Sequence, residues 1–210
     1  MEKIIIGKEA KALLPVINIQ DMRPHLRGVL INGSFILATD SKILVRMKLN
    51  TELPKEDIPA NIKTGADADK VWVSVDTLKR ALCNVPKKGP IPAVQQNVFV
   101  SKENGLLRLQ VLDENLNAVS FEDRVNSDEL ANDFPDTDKI LNPEEKDASS
   151  QTVKISGETI IKLAEMVKSL GKDVRLVLEI TDYQRPVFFR VEDGNTLKAD
   201  GAFMLLKNEG

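Results

Sequence analysis

The sequence is poor in the residues on which catalysis and covalent cross-linking most often depend. Its 210 residues include one cysteine, Cys83, and one histidine, His25. A single cysteine excludes an internal disulfide and is typical of a reducing compartment, so we expect a cytoplasmic protein. The sequence also lacks a glycine-rich phosphate loop, a zinc-ligand spacing and a G-x-S-x-G motif. These absences argue against an enzyme, and we predict no cofactor.

Aromatic residues are also scarce, at 4% of the chain, whereas 42% of the residues are hydrophobic. The core must therefore be mostly aliphatic, and a chain of 210 residues can bury such a core in one or two domains. No apolar run is long enough to cross a membrane, and the start MEKIIIGKEA lacks the apolar centre of a signal peptide. We expect no membrane partner.

Positive charge is not in excess either, because the formal net charge is −3 and the sequence pI is about 5.4. This balance excludes a protein covered in basic surface but allows one basic face on an acidic body. Among the acidic residues, Asp133, Asp136 and Asp138 form a candidate metal cluster. They lack the ligand spacing and the turn glycine of a calcium loop, so we expect a solvated loop and predict no metal site.

What the sequence does contain is a repeated pattern, clearest in Val71–Gly89. Residues 71–75 alternate like a strand, and Ser74 or Asp76 can cap the helix that follows. One stripe of that helix is apolar and is predicted to be buried: Leu78, Ala81, Leu82 and Val85. The opposite stripe is basic: Arg80, Asn84 and Lys87.

The same plan recurs at Thr152–Lys172, and a fainter copy starts at Ile4. In the later copy the predicted buried stripe is Ile160, Leu163, Ala164, Val167 and Leu170, while Lys162, Glu165, Ser169 and Lys172 face away. Each copy is followed by three strand-like runs, the first set containing the hairpin signal Asn32-Gly33. We therefore predict an α+β fold of three tandem βαβββ units, with helices on one side of antiparallel sheets.

Two segments interrupt these units. Asn50–Asp69 is rich in proline, aspartate and lysine and is predicted to be a solvated connector. Glu122–Ser150 is acidic and loop-like, apart from the apolar stretch Phe134–Leu141, which we expect to dock on the body. We place a domain boundary near Ser150, so that residues 1–150 hold two units and residues 151–210 hold the third.

Four stretches of the chain resemble the bacterial replicative sliding clamp, the beta subunit of DNA polymerase III. Asp21–Leu30 is similar to D-x-R-x-x-L-x-G-x-L at the start of the clamp's middle domain, and Ala38–Leu44 to A-T-D-G-H-R-L. Phe134–Leu141 is similar to F-P-D-Y-R-R-V-L at the end of that domain. Val174–Leu176 and Ala202–Lys207 resemble the last half-domain. The resemblance implies a DNA clamp-like fold made of a middle domain and half of a last one.

The resemblance implies a non-catalytic DNA sliding clamp, a processivity factor whose partner is double-stranded DNA. Clamps of this family encircle the duplex with helices lining the hole, and basic side chains on those helices suit phosphate attraction that is independent of sequence. The DNA-facing residues would be Arg80, Lys87, Lys88, Lys162 and Lys172. The alternative is that these cations only solvate the polar faces of amphipathic helices, and Glu165 among the lysines favours it there.

The resemblance also implies a pocket that binds a short, largely extended apolar peptide from replication or repair proteins. Its lining would include Arg23, Leu26, Thr39, Lys42, Leu44, Pro135, Ile140 and Met204. Apolar walls with a few polar groups at the rim are what such an anchor site needs. Ser41, Lys42 and Ile43 replace the family's Gly, His and Arg, so the rim chemistry differs. The alternative is that the apolar members are ordinary core residues.

Rings of this family are built from twelve βαβββ units, so three units per chain would close only as a tetramer. Edge strands would then have to pair between chains, and we expect a homo-oligomer. The runner-up is a clamp-derived regulator that captures replication peptides and never touches DNA. A small-molecule enzyme would need a deep polar cleft, which these residues do not suggest.

Overall fold

The computed structural model describes residues 3–50, 53–66, 69–123, 127–141, 155–180 and 186–205. Within these ranges the chain forms two sheets and a layer of helices, arranged as successive βαβββ units. The first unit consists of β1 (Ile4–Gly7), the 3₁₀ helix η1 (Lys8–Val16), β2 (Gly28–Asn32), β3 (Phe35–Thr39) and β4 (Ile43–Lys48). Its helix is 3₁₀ rather than α and contains Pro15, which has no N–H to donate to an α-helical ladder.

The second unit follows the predicted pattern most closely. It consists of β6 (Lys70–Ser74), α1 (Val75–Cys83), β7 (Asn97–Glu103), β8 (Leu106–Leu112) and β9 (Ala118–Asp123), with a short helix α2 (Pro92–Gln95) before β7. The Ser74 hydroxyl caps α1 by accepting a hydrogen bond from the Thr77 N–H at 3.3 Å. The predicted apolar stripe of α1 is buried along its whole length, which confirms that prediction.

The third unit contains α5 (Gly157–Leu170), β10 (Arg175–Glu179), β11 (Val187–Asp193) and β12 (Thr196–Phe203). The strand predicted before its helix lies in residues 151–154, outside the described ranges. The buried residues of α5 are Thr159, Leu163 and Met166, so the predicted stripe was wrong in part. Ile160 and Ala164 are exposed, whereas Val167 and Leu170 are partly buried and pack against the core.

The units are joined by exchanging strands. β1 of the first unit lies beside β7 of the second, giving the order β1-β7-β8-β9, with the short β5 (Gly65–Ala66) parallel to β7. β6 of the second unit lies beside β2 of the first, in a seven-stranded sheet of order β10-β11-β12-β4-β3-β2-β6. Each three-stranded run of these two units is thus completed by the strand that precedes the other unit's helix.

The third unit joins the first through the antiparallel pair β12 and β4, in which Gly201 lies opposite Val45. A Cβ on Gly201 would overlap the carbonyl oxygen of Leu44, so only glycine allows this close approach of the two strands. Arg46 on β4 forms two hydrogen bonds to the Asp200 carboxylate on β12. One sheet therefore runs without a break from the third unit into the first.

The helices η1, α1 and α5 form one layer, in which α1 and α5 both pack on η1. Alternate residues of β1 are buried on opposite faces of its sheet. Ile4 and Ile6 belong to the core beneath the helices, and Ile5 belongs to a smaller cluster on the opposite face. The observed fold is the α+β arrangement that the repeat predicted.

The two interrupting segments are more ordered than predicted. Leu53 and Ile62 of the connector are buried against Ile5 and Phe99, so this segment covers one sheet instead of being fully solvated; it also contains a short 3₁₀ helix (Lys55–Asp57). The acidic segment contains α3 (Ser127–Asp133) and α4 (Thr137–Leu141). Phe134 packs with Trp72, as the docking prediction requires. The boundary near Ser150 falls in residues 142–154, outside the described ranges, and stays a prediction.

Candidate functional site

A cavity of about 290 Å³ opens where the third unit meets the first. The turn between β3 and β4 forms one side, the end of β12 forms the floor, and the segment containing α4 forms the opposite side. Its lining is predominantly apolar: Thr39, Ser41, Lys42, Ile43, Leu44, Pro135, Ile140, Pro186, Ala202, Phe203 and Met204. The cavity therefore lies on the joint between β4 and β12.

The turn at one side of the cavity is held by the Asp40 carboxylate. One of its oxygens accepts hydrogen bonds from the N–H groups of Lys42, at 3.0 Å, and Ile43, at 2.9 Å. The Thr39 hydroxyl donates to the Ile43 carbonyl at 2.8 Å. The Met204 N–H donates to the Lys42 carbonyl at 2.7 Å, which fastens the end of β12 to the same turn. Hydrogen bonds to backbone groups, in addition to side-chain packing, thus fix the walls of the cavity.

The second oxygen of Asp40 pairs with Lys162 of α5, which also contacts Glu158 at 3.3 Å. The two partners of the first pair are largely buried, with side-chain exposures of 18% for Lys162 and 6% for Asp40. Burial lowers the pKa of Lys162, but hydrogen bonds and charge from Asp40 and Glu158 outweigh that effect and raise the pKa above its usual value. The ammonium therefore links α5 to the cavity's turn.

The rim includes a strained residue and an arginine. Ser41 has a φ of 71°, in the left-handed region that favours glycine. Its hydroxyl accepts a hydrogen bond from the Arg23 guanidinium at 2.8 Å, and Arg23 also binds the Asp21 carboxylate at 2.9 Å. The hydrogen bonds that the Arg23 side chain and backbone N–H donate to the Asp21 carboxylate lower the pKa of Asp21 to about 2. Arg23 thus lies beside the rim and is hydrogen-bonded to Ser41, one of the lining residues.

Six of the eight residues predicted for the pocket line this one cavity: Thr39, Lys42, Leu44, Pro135, Ile140 and Met204. Arg23 lies beside it, and Leu26 is a buried residue that does not line it. Met204 is 49% exposed at the opening, whereas Leu44 and Phe203 are buried at the floor. Peptide binding by this set stays a prediction.

Sequence reasoning placed Ser41 and Ile43 at the rim without naming them as lining residues, and it missed Pro186, Ala202 and Phe203. Ser41 and Ile43 are direct neighbours of Lys42, and Ala202 and Phe203 precede Met204, so adjacency along the chain was a usable signal. Pro186 has no such signal, because it reaches the cavity only through the pairing of β11 with β12.

The residues predicted to face DNA do not share one environment. Arg80, Lys87, Lys88 and Lys172 are exposed, on or just after helices α1 and α5. The Arg80 guanidinium lies over the Phe121 ring, 5.3 Å from its centre. Lys162, by contrast, is held by Asp40 and Glu158 and is mostly buried, a placement that does not suit a phosphate contact. Exposed Lys11 on η1 and Lys79 on α1 are further cations of the helix layer.

The helix layer is not uniformly basic, since Glu9, Asp76, Glu158 and Glu165 are exposed on the same three helices. In the described ranges no group of three or more histidine, cysteine, aspartate or glutamate side chains is placed to hold a metal ion. No helix in the described part of the chain is long and apolar enough to span a bilayer.

Solved bacterial sliding clamps have the same fold. The beta sliding clamp of C. crescentus, crystallised with polyethylene glycol in the region proposed to tether the beta motif, matches with a TM-score of 0.57 and 13% identity, over 98% of this chain and 66% of the clamp. The DNA polymerase III beta subunit of Bartonella birtlesii LL-WM9 matches with a TM-score of 0.58 and 12% identity, over 100% of this chain and 66% of the clamp.

The chain thus spans about two thirds of the length of these clamps, 66% in both cases. No protein-family model and no curated protein matches the sequence. At identities of 12–13% the likeness shows the fold alone. That fold is the one shared by the beta sliding clamps of bacterial DNA polymerase III.

Proposed function

We propose, on the premise of this sliding-clamp fold, that the chain is a non-catalytic clamp-like protein that binds short apolar peptides of replication or repair proteins. One observation carries the proposal: residues 39, 41–44, 135, 140 and 204 come from three separate parts of the sequence, and they line a single apolar cavity. They come from the segments that the family resemblance assigned to a peptide pocket.

The cavity suits one or two apolar side chains of an extended peptide rather than a folded domain. Its volume of about 290 Å³ lies at the lower end of the range for ligand pockets. Met204 at the opening offers a flexible, polarizable contact that adapts to different side chains. The Lys42 side chain is 65% exposed at the rim and its ammonium lies 4.0 Å from the Glu158 carboxylate, so an acidic residue beside the peptide's apolar anchor would share that ammonium with Glu158.

Fluorescence anisotropy with labelled peptides carrying leucine, methionine or phenylalanine tests this proposal. We expect Met204→Asp and Ile140→Asp to weaken binding about tenfold or more, because each places a charge in the apolar anchor site. Ile19→Asp is the matched control, since Ile19 is 61% exposed and does not line the cavity. Equal affinities for all three variants and the unaltered protein would refute a peptide site here.

We further propose that the helix layer associates with duplex DNA. Support comes from the exposed cations Arg80, Lys87, Lys88 and Lys172, which are available for phosphate contacts. Binding should weaken steeply with salt, because each phosphate contact releases counterions. Charge reversal of Arg80, Lys87 and Lys88 should reduce the affinity and the salt slope, whereas reversal of Lys63 and Lys70, which lie outside the helix layer, should not.

The second candidate is a regulator that captures replication peptides without binding DNA. The burial of Lys162 against Asp40 and the exposed acidic residues of the three helices favour it, because both reduce the positive field of the helix layer. Retained peptide binding, together with no duplex binding at low salt, would select this candidate. Both candidates share the peptide site.

A further inference from the structure

The mostly buried ion pair between Lys162 and Asp40 joins helix α5 to the turn at one side of the cavity. Its two residues are 122 positions apart in the sequence, and neither of them lines the cavity. A buried ion pair adds little net stability compared with apolar residues of similar size, because both charges lose their hydration. Such a pair can instead fix one arrangement of the groups around it.

Helix α5 is a firmly held support for this cation. Met166 is fully buried and Leu163, the neighbour of Lys162, is also buried, and both side chains belong to the core. α5 packs on η1, and the Ser156 hydroxyl caps it by accepting a hydrogen bond from the Thr159 N–H at 3.1 Å. The Lys162 ammonium thus extends from a helix whose position is set by the core.

The turn between β3 and β4 is held by two kinds of hydrogen bond. The N–H groups of Lys42 and Ile43 donate to one Asp40 oxygen, and these bonds determine the shape of the turn because all three residues belong to it. Bonds to other elements determine where the turn lies. The Met204 N–H donates to the Lys42 carbonyl, and the Lys162 ammonium donates to the second Asp40 oxygen. The Asp40 carboxylate therefore connects the shape of the turn to its location.

Two other side-chain links to this turn are exposed. Arg23, which donates to the Ser41 hydroxyl, is half exposed. Lys42 and Glu158 are each 65% exposed, with 4.0 Å between the ammonium and the carboxylate. Exposed pairs contribute little, because water and salt screen them. The buried ion pair is therefore the side-chain link best able to fix the location of the turn.

We propose that Lys162 is a positioning residue for the peptide site, because its ion pair with Asp40 holds the cavity's turn against α5 in the geometry that receives an apolar side chain. A binding site needs such support, since its walls must stay within about 0.5 Å of the productive geometry. Coupling of this kind is reciprocal, so a peptide in the cavity should also stabilise α5. The inference rests on the proposed peptide binding and adds to that site a residue from outside the cavity.

The double variant Lys162→Met/Asp40→Asn tests this role. It removes both charges, while the asparagine side-chain oxygen can still accept from the N–H groups of the turn. Chemical denaturation should show that the double variant is more stable than Lys162→Met alone, since it buries no unpaired carboxylate. Its affinity for a labelled leucine peptide without charged residues, measured by fluorescence anisotropy, should nevertheless stay about tenfold below that of the unaltered protein. A purely structural role would return affinity together with stability.

Lys102→Met is the matched control. Lys102 is also buried and pairs with an aspartate of another element, Asp128 on α3, and neither residue lines the cavity. This variant should lower stability, as Lys162→Met does, but leave the peptide affinity unchanged. An equal loss of affinity in both lysine variants would show a general loosening of the fold and would overturn the inference. A double variant that binds the peptide as the unaltered protein does would overturn it as well.

Hydrogen exchange distinguishes a failure of this inference from a failure of the proposed function. Without any peptide, the Met204 amide, which donates to the Lys42 carbonyl, should exchange faster in the double variant than in the unaltered protein. Added peptide should slow exchange in α5 of the unaltered protein but not in the double variant. Faster exchange at Met204 in a chain that binds no peptide would keep the ion pair's hold on the turn but refute the proposed function. Unchanged exchange at Met204 with retained peptide binding would do the reverse.

Discussion

Arg46 and Asp200 face each other across the joint between β4 and β12, with the Arg46 Nε 3.0 Å from one carboxylate oxygen of Asp200. The guanidinium also lies 4.6 Å from the centre of the Phe35 ring. Both charged side chains are mostly buried, with exposures of 18% and 16%. This two-point contact fixes the register in which the third unit meets the first, and the cavity lies at the end of the same strand pair.

Arg46→Met should lower the free energy of unfolding by about 2 kcal/mol, because it leaves the Asp200 carboxylate partly buried without its cation. Chemical denaturation measures this change. The double variant Arg46→Met/Asp200→Leu should recover part of the loss, since it removes both charges. A double variant that loses the sum of the two single effects would show that the pair is not coupled.

Gly201→Ala should be more damaging than its size suggests. The added methyl group would overlap the Leu44 carbonyl and push β12 away from β4, at a cost of about 1–3 kcal/mol. Because β4 and β12 line the cavity, peptide affinity should fall as well. Gly33→Ala is the comparison: space is open there, and only its φ of 56° is unfavourable, so thermal unfolding should change less and peptide binding not at all.

Lys162→Met should destabilise the fold and loosen the cavity's turn. It removes the cation from the buried Asp40 carboxylate, and breaking a buried pair from one side costs about 3–5 kcal/mol at most. Asp40→Asn in the same chain should return part of that stability. Since the folded pKa of Lys162 is raised, its contribution is present below the unfolded pKa and is lost as pH rises through the folded value.

Asp21 should titrate at a pH of about 2, below its ordinary value of 3.8, because Arg23 donates hydrogen bonds to the carboxylate. Its stabilising effect is present above the unfolded pKa and is lost as pH falls toward about 2. A carboxyl-carbon NMR titration measures the pKa directly. In Arg23→Ala the pKa should rise toward its ordinary value but stay below it, because the backbone N–H of residue 23 still donates to the carboxylate; an unchanged pKa would mean that the Arg23 side chain is not a cause.

Sequence analysis predicted well the features that depend on residues close together in the chain. The stripe of α1, its serine cap and the hairpin at Asn32-Gly33 depend on residues within a few positions of each other. The family resemblance brought together Thr39, Pro135 and Met204, which periodicity alone cannot connect. The cavity's other members follow from strand pairing, which no local pattern specifies.

The wrong predictions of burial have a common cause. Whether a side chain is buried depends on segments that are distant in the sequence. Leu53 and Ile62 lie in a segment rich in polar residues, but they are buried because they pack against Ile5 and Phe99 of the first sheet. Ile160 matches a buried helical stripe, and it is exposed because the described residues provide no cover. Composition could not distinguish these two cases.

Because the first and second units exchange their first strands, neither unit can complete its sheet before the other has folded. Ile4 pairs with Val100, so the backbone groups of β1 find their partners only after β7 has been synthesised. Contacts this distant in sequence slow folding, because loop closure costs entropy before any contact compensates for it. A nascent chain released after the first unit should therefore stay unstructured and prone to aggregate, and the first and second units should fold as one cooperative body.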